Sequence, residues 1–422
     1  MSDGTAAEET GGQLGVRATW RETPRPVRVV LAGVFVSKLA GFLQIFLVLF
    51  LTHRGFSAGQ AGLALRLYGA GAVAGTFAGG WLSDRLSTRT TTLISMVGSA
   101  VLIVTIVYLR VYPLILAAVL LVSAVGQLYR PAAQSLITEL TPPSRLVMVT
   151  AMYRLSLNLS TTAAPLIGVA LVSVSYNLLF WGEALAAVGY GVIVLTALPR
   201  CPRPATAPGE QIPDRGSRSG YLALLTDYRY LVFLSAFFLL CIVYCQYTVV
   251  VPLAIVKAGL SIWWYGALIT LNAAVVVSCE VWATRFTQAW PTRLTAMSGF
   301  ALLAVGYGVY SIRLVPVFLI IGTLIWTVSE IVGAPTVYAY PGMVAPAHLR
   351  GRYFGAMGAM YGLGATVGPI LGVELFDHVG ERVFAWAALM AVAGTVISQI
   401  GMRGRGAPEP SEPADDALAA SS

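Results

Sequence analysis

Twelve apolar runs, each long enough to cross a lipid bilayer, leave this 422-residue chain little else to become. A helix crossing roughly 30 Å of hydrocarbon needs about 20 predominantly apolar residues. Runs of that kind cover 27–51, 59–82, 90–109, 113–137, 147–173 and 178–198, then 230–255, 262–284, 292–311, 315–338, 352–375 and 383–402. Charged residues make up only 11% of the chain, against about 25% in a soluble domain. Hydrophobic residues make up 57%, more apolar surface than a water-soluble fold of this size can cover. The same figures exclude a disordered chain, a collagen-like chain and an enzyme on a single anchor. An all-α membrane protein follows, because a spanning helix pairs its own backbone groups where no water can.

Residues 1–25 are polar and lack the apolar stretch of a cleaved signal. Residues 404–422 are rich in Pro, Ala and acids and are expected to be disordered. Of the 27 Lys and Arg residues, eighteen fall on segments on the N-terminal side of the membrane, five on the opposite loops and four inside spans. The positive-inside rule then puts both termini in the cytoplasm. The net charge of +8 is mostly this topogenic arginine, not a nucleic-acid surface.

The longest hydrophilic stretch between spans, Pro199 to Asp227, is rich in Pro, Arg and Gly and separates six spans from six. The expected organisation is a cytoplasmic tail (1–25), an N-terminal six-helix bundle (26–199), a cytoplasmic linker (200–227), a C-terminal six-helix bundle (228–403) and a tail (404–422). The halves match at an offset of 204: Arg89 with Arg293, Pro131 with Pro335, Pro142 with Pro346, Pro165 with Pro369 and Gly168 with Gly372. Six is even, so the repeats share one orientation and are related by an axis along the membrane normal. That is the architecture of a transporter whose bundles rock about a central cavity.

Spans two and three are joined by Gly80-Trp81-Leu82-Ser83-Asp84-Arg85-Leu86-Ser87-Thr88-Arg89. A half-buried Asp beside two Arg needs charge partners. Glu139, at the inner end of span four, can reach the same surface, and Gly80 permits close helix approach. The alternative is a purely topogenic basic turn. The segment resembles the signature loop of the major facilitator superfamily, G-x-L-a-D-R-x-G-R-[KR], with Gly80, Leu82, Asp84, Arg85 and Arg89 in matching places. Ser87 stands where the second Gly is usual, so a tighter or strained turn is expected. The resemblance implies a charge-relay latch, with Gly80, Asp84, Arg85, Arg89 and Glu139 as gate residues.

Two other segments resemble the drug:proton antiporter branch of that superfamily. Ala164-Pro165-Leu166-Ile167-Gly168 is similar to the end of its span-five motif, G-x8-G-x3-G-P-x2-G, with the small residues Ala151, Ser160 and Ala164 in place of the three upstream Gly. Span ten carries Trp326 and then Glu330 before Pro335, the mid-span Glu of one branch. Glycine ladders at Gly71, Gly75 and Gly79 and at Gly364, Gly368 and Gly372 let backbones meet closely. They serve ordinary packing, or they let spans two and eleven slide on each other.

Charges at membrane depth cost about 2.5–3.5 kcal/mol on insertion scales, so each needs a reason. Here they are Lys38, Arg66, Arg130 and Arg154 against Glu183, Glu280 and Glu330. The resemblance implies that spans one, four, seven and ten line the cavity, which places Lys38, Arg130, Gln246 and Glu330 around it. Glu330 is either a proton carrier trading against substrate or an Arg such as Arg130, or half of a permanent ion pair; the carrier is the reading taken. Glu280 is a second candidate for proton coupling, although an ion pair with the nearby Arg285 is favoured there. Asn272 and Trp326 are candidate substrate contacts. Arg154 and Asn158, sharing one face at i, i+4, either face the cavity or lock spans one and five. Glu183 and Arg66 are expected to snorkel or pair locally. Tyr68, Tyr129, Tyr153, Tyr244, Tyr247 and Tyr340 are candidates for an apolar wall. Four cations against three acids favour a neutral or anionic substrate.

No G-x4-G-K-[ST] loop is present to bind a nucleotide. His53, His348 and His378 form no metal set, and Cys241 and Cys245 read as inert buried thiols. No enzyme activity and no cofactor are expected. The leading function is a proton-coupled exporter of small amphiphilic molecules working by alternating access. A proton-coupled uptake symporter and a transport-dead sensor are the competing readings. The expected partners are a small-molecule substrate, protons and the bilayer, without nucleic acid, for a chain working as a monomer in the cell membrane.

Overall fold

The computed structural model describes residues 16–198 and 219–403. The tails, most of the 200–227 linker and Arg200, Arg203, Arg215, Arg218 and Arg405 lie outside the described residues. Twelve spans in two six-helix bundles make up the fold, and no strand occurs among the described residues. Span one is two half-helices, Arg25–Leu39 and Phe42–His53. Then follow span two Ala58–Arg85, span three Thr88–Tyr108, span four Tyr112–Gln127 continued by Tyr129–Leu140, span five Leu146–Val172 and span six Tyr176–Ala197. A short helix, Ser219–Thr226, leads into span seven Tyr228–Lys257, span eight Trp263–Thr287, span nine Thr292–Ile312, span ten Pro316–Val344, span eleven Arg350–Val379 and span twelve Val383–Gly401.

Hydropathy alone marks ten segments among the described residues. One of them, Ala347–Gly401, holds two helices, and Ala58–Arg85 is missed because glycines, Arg66, Asp84 and Arg85 dilute it. A Ser57–Gln60 capping box begins that helix, each residue's side chain accepting from the other's backbone N–H.

The duplication seen in the sequence is a duplication of structure. Spans one and seven end in the same way. Gly55 (φ 88°) and Gly259 (φ 75°), again 204 apart, adopt the left-handed turn that glycine tolerates. The next N–H in each case reaches back, Phe56 to the Leu51 carbonyl and Leu260 to that of Ile255, both at 3.1 Å. In span five, Ser160 donates to the Phe35 carbonyl of span one at 2.9 Å, and Gly168 packs on Phe46. In span eleven, Gly364 and Gly368 lie against Cys241, Ile242 and Cys245 of span seven.

This settles the glycine ladders as packing within bundles. Gly71, Gly75 and Gly79 lie on Leu120, Ala124 and Leu128 of span four, not on span eleven. Spans two and eleven meet through other residues, chiefly Gly80 against Gly351 and Gly355, and Thr76 against Gly358.

The signature loop is not strained. Ser87 has φ 179°, ordinary extended backbone, and its hydroxyl caps span three by accepting from Thr90 N–H at 3.1 Å. The break in span one was not expected. Gly41 (φ −76°, ψ 59°) interrupts the helix, and the Glu183 carboxylate of span six accepts from Leu43 N–H at 2.6 Å, satisfying a donor freed by the break.

Candidate transport cavity

Between the bundles lies a cavity of about 2160 Å³. It is sealed at the end nearer the chain termini: Leu146 to Arg154 of span five are all buried. Towards the other end, Thr161, Thr162 and Leu166 of span five and Thr366 and Ile370 of span eleven line walls that are exposed.

The floor is a three-residue ionic cluster that joins the bundles. Arg154 Nε donates to Glu280 Oε1 at 2.5 Å and its terminal nitrogen to Glu330 Oε1 at 2.9 Å. Asn158, one turn along span five, donates to Glu280 Oε2 at 3.3 Å. Asn272 of span eight donates to Glu330 Oε2 at 3.4 Å and to Thr327 Oγ1 at 3.1 Å, and the Tyr244 hydroxyl reaches Glu330 at 3.5 Å. The Tyr338 ring lies 5.1 Å from the guanidinium. Glu280 has no solvent exposure and Arg154 only 7%. Removing one partner from such a buried pair strands the other and costs about 3–5 kcal/mol.

Several expectations change here. Glu280 pairs with Arg154 across the bundle interface, not with Arg285, which lies over the Phe286 ring. The partner of Glu330 is Arg154, not Arg130. Of the two placements expected for Arg154 and Asn158, the cavity is the one found: both line it and bond to spans eight and ten. Glu183 lines the cavity and caps the broken span one, with no ion pair among the described residues. Arg66 lines the cavity. Gln246 does not: it is buried, and its Nε2 donates to the Ile242 and Gly368 carbonyls, fastening span seven to span eleven. Tyr340 is core, packed on Phe233 at 4.5 Å. Lys38, Arg130, Asn272 and Trp326 do line the cavity. Trp326 is itself buried, with its indole N–H donating to the Tyr310 hydroxyl at 3.0 Å.

At the closed end Asp84 accepts from the backbone N–H groups of Gly351 (2.8 Å) and Arg352 (3.1 Å), at the start of span eleven. The Arg352 guanidinium stands 3.8 Å away. Gly80 is needed there, since a Cβ would meet the Gly351 backbone. Arg85, Arg89 and Glu139 are elsewhere. Arg85 lies over Trp81, and Arg89 donates to the Leu195 carbonyl at 2.7 Å. Glu139 is exposed and pairs with no cation among the described residues. The contact joins a carboxylate to a helix N-terminus across the bundles, with the Arg352 guanidinium beside it. Beside it, the Tyr221 hydroxyl of the linker helix donates to the Phe77 carbonyl of span two at 2.7 Å.

A closed-ended cavity between two like bundles, with charges at its floor, is the build of a carrier. The sequence profile of the Major Facilitator Superfamily matches residues 30–369, and the chain belongs to that superfamily. It is 21% identical over 381 residues to the uncharacterized MFS-type transporter YqjV of Bacillus subtilis (strain 168), covering 88% of this chain and 92% of that one. It is 23% identical over 412 residues to a Na(+), Li(+), K(+)/H(+) antiporter of Planococcus maritimus, covering 89% and 94%. Among solved structures, the human organic anion transporter MFSD10 (TETRAN) shares the fold with a TM-score of 0.71 at 15% identity, over 90% of this chain and all of that one. The proton:xylose symporter XylE bound to 6-bromo-6-deoxy-D-glucose gives 0.67 at 13% identity, over 88% and 94%. The chain is thus a multi-pass membrane transporter of small substrates.

Proposed function

We propose that the chain is a proton-coupled exporter of small amphiphilic molecules, neutral or anionic, with Glu330 and Glu280 as proton carriers. The observation that carries the reading is Arg154 held between two carboxylates of the opposite bundle. Opening the closed end parts span five from spans eight and ten and so pulls the guanidinium from both acids. A proton on one carboxyl removes a charge that would otherwise be stranded at membrane depth, which lowers the cost of parting. Proton uptake from the open side and bundle motion are thereby linked. Likeness to a cation/proton antiporter supports exchange against protons. The arginine bias supports cytoplasmic termini, hence a cavity open to the outside. The cell membrane and a monomer complete the reading.

The test uses purified protein in liposomes under an inward acid gradient with an internal pH dye. Anionic, neutral and cationic amphiphiles, NaCl and KCl are added in turn to wild type, Glu330→Gln and Glu280→Gln. Substrate-triggered proton flux in wild type that is lost in Glu330→Gln is the expected result. Flux that survives in both variants overturns the carrier assignment. Substrate accumulating along the proton gradient, not against it, makes the chain an uptake symporter.

A further inference from the structure

We infer that the substrate is a monovalent organic acid, its acid group held on the N-terminal bundle by Lys38 and Arg130, across the cavity from the proton-carrying carboxylates. The inference rests on the transport reading above and names its substrate class.

The charges of the cavity are unevenly distributed. At the floor Glu330 and Glu280 share Arg154, so that cluster is one negative charge held in its own bonds. On the N-terminal wall Lys38 and Arg130 both line the cavity, and neither forms an ion pair among the described residues. Arg130 stands by the Tyr153 hydroxyl and 5.9 Å from the Tyr361 ring. These contacts orient its guanidinium without neutralising it. One acid, Glu183, lines the same cavity and acts on Lys38 electrostatically. Its carboxylate is engaged by the Leu43 N–H.

The break in span one accounts for this arrangement. Lys38 lies in the last turn of the half-helix Arg25–Leu39, where the carbonyl end favours a cation. The positive end of the next half-helix would otherwise attract an anion, but Glu183 holds it. An incoming anion is therefore left to the two side-chain cations. Lys38 and Arg130 against Glu183 leave one positive charge in this layer, which fits a monoanion and opposes a cation. The negative charge of the floor cluster is engaged by Arg154, Asn158 and Asn272, so Lys38 and Arg130 have no ion-pair partner among the described residues until a ligand brings one. Arg66, nearer the mouth, adds attraction on entry. Tyr244, Tyr247 and Tyr361 offer the opposite wall to an apolar body.

The experiment is calorimetric titration of the full chain in lipid nanodiscs at pH 7 with three size-matched probes: 2-naphthoate, 2-naphthamide and 2-naphthyltrimethylammonium. Naphthoate should bind at least ~10-fold more tightly than the amide, about 1.4 kcal/mol, with the ammonium weakest. Lys38→Gln and Arg130→Gln should each erase the preference, while Lys38→Arg keeps it; thermal unfolding midpoints identify any variant that fails to fold. Equal binding of the amide, tighter binding of the ammonium, a preference that survives in folded Lys38→Gln and Arg130→Gln, or binding of none of the three overturns the inference. The liposome assay separates it from the coupling reading. Naphthoate bound through Lys38 without proton flux in wild type overturns coupling and leaves this inference standing. Proton flux triggered by neutral compounds alone, with no naphthoate binding, does the reverse.

Discussion

Replacing Asp84 by Asn tests the closed end directly. In the native protein one carboxylate, 8% exposed, accepts from two backbone N–H groups at the start of span eleven. Hydrogen bonds to a charged group contribute about 1.5–3 kcal/mol each and neutral ones about 0.5–1.5, so losing the charge costs roughly 1 kcal/mol per bond. Removing an anion from a helix N-terminus adds about 0.3–1 kcal/mol. The sum, about 2–3 kcal/mol, shifts the closed-to-open equilibrium of that end by ~30- to 150-fold. Spin labels at Leu86 and His348, both exposed at that end, report the change by double electron–electron resonance. The expected result is a longer-distance population that is minor in wild type and substantial in Asp84→Asn. An unchanged distance distribution would refute the reasoning, since it would mean that the carboxylate contributes nothing to closure.

Three smaller perturbations follow from the packing. Gly75→Val places a side chain where even a Cβ would lie 2.7 Å from Ala124 Cα; backbone cannot yield as a side chain does, so a loss of about 1–3 kcal/mol or more is expected, read as a lower unfolding temperature. Ser87→Ala should cost ~1 kcal/mol by removing the span-three cap, whereas Ser87→Gly should cost only a few tenths; hydrogen exchange at Thr88 to Thr91 checks both. Tyr221→Phe removes the bond to the Phe77 carbonyl, worth about 0.5–1.5 kcal/mol, and should speed amide exchange across Ser219–Thr226 by roughly 2- to 10-fold.

The spans and the repeat were legible because both are written in one dimension. Long apolar runs need no knowledge of neighbours, and Pro165 and Pro369 stand at the same offset whatever surrounds them. What failed was partner choice. Glu280 is five residues from Arg285 in the chain, yet it meets Arg154, 126 residues away, because that guanidinium can reach two acids at once. Gln246 and Glu330 both sit mid-span, but only the rotation of each helix about its axis decides that one bridges two helices and the other faces the cavity. The break at Gly41 was hidden for a similar reason. A glycine in an apolar span reads alike whether it packs, as Gly71 does, or interrupts; the capping Glu183, on another span, makes the difference.

The cluster at the cavity floor also has an electrical meaning. With both carboxylates ionised, one guanidinium between them leaves the cluster at −1, and a single proton balances it. Unprotonated, the cluster feels the transmembrane voltage as the bundles move about it, by up to ~2.3 kcal/mol per charge per 100 mV. Protonated, it moves almost free of that field. On the proposed coupling, with Lys38, Arg130 and Glu183 contributing alike to both legs, membrane potential loads this cluster on one leg of the cycle and not on the other, so a voltage step should change the rate of bundle exchange in one direction more than in the opposite one.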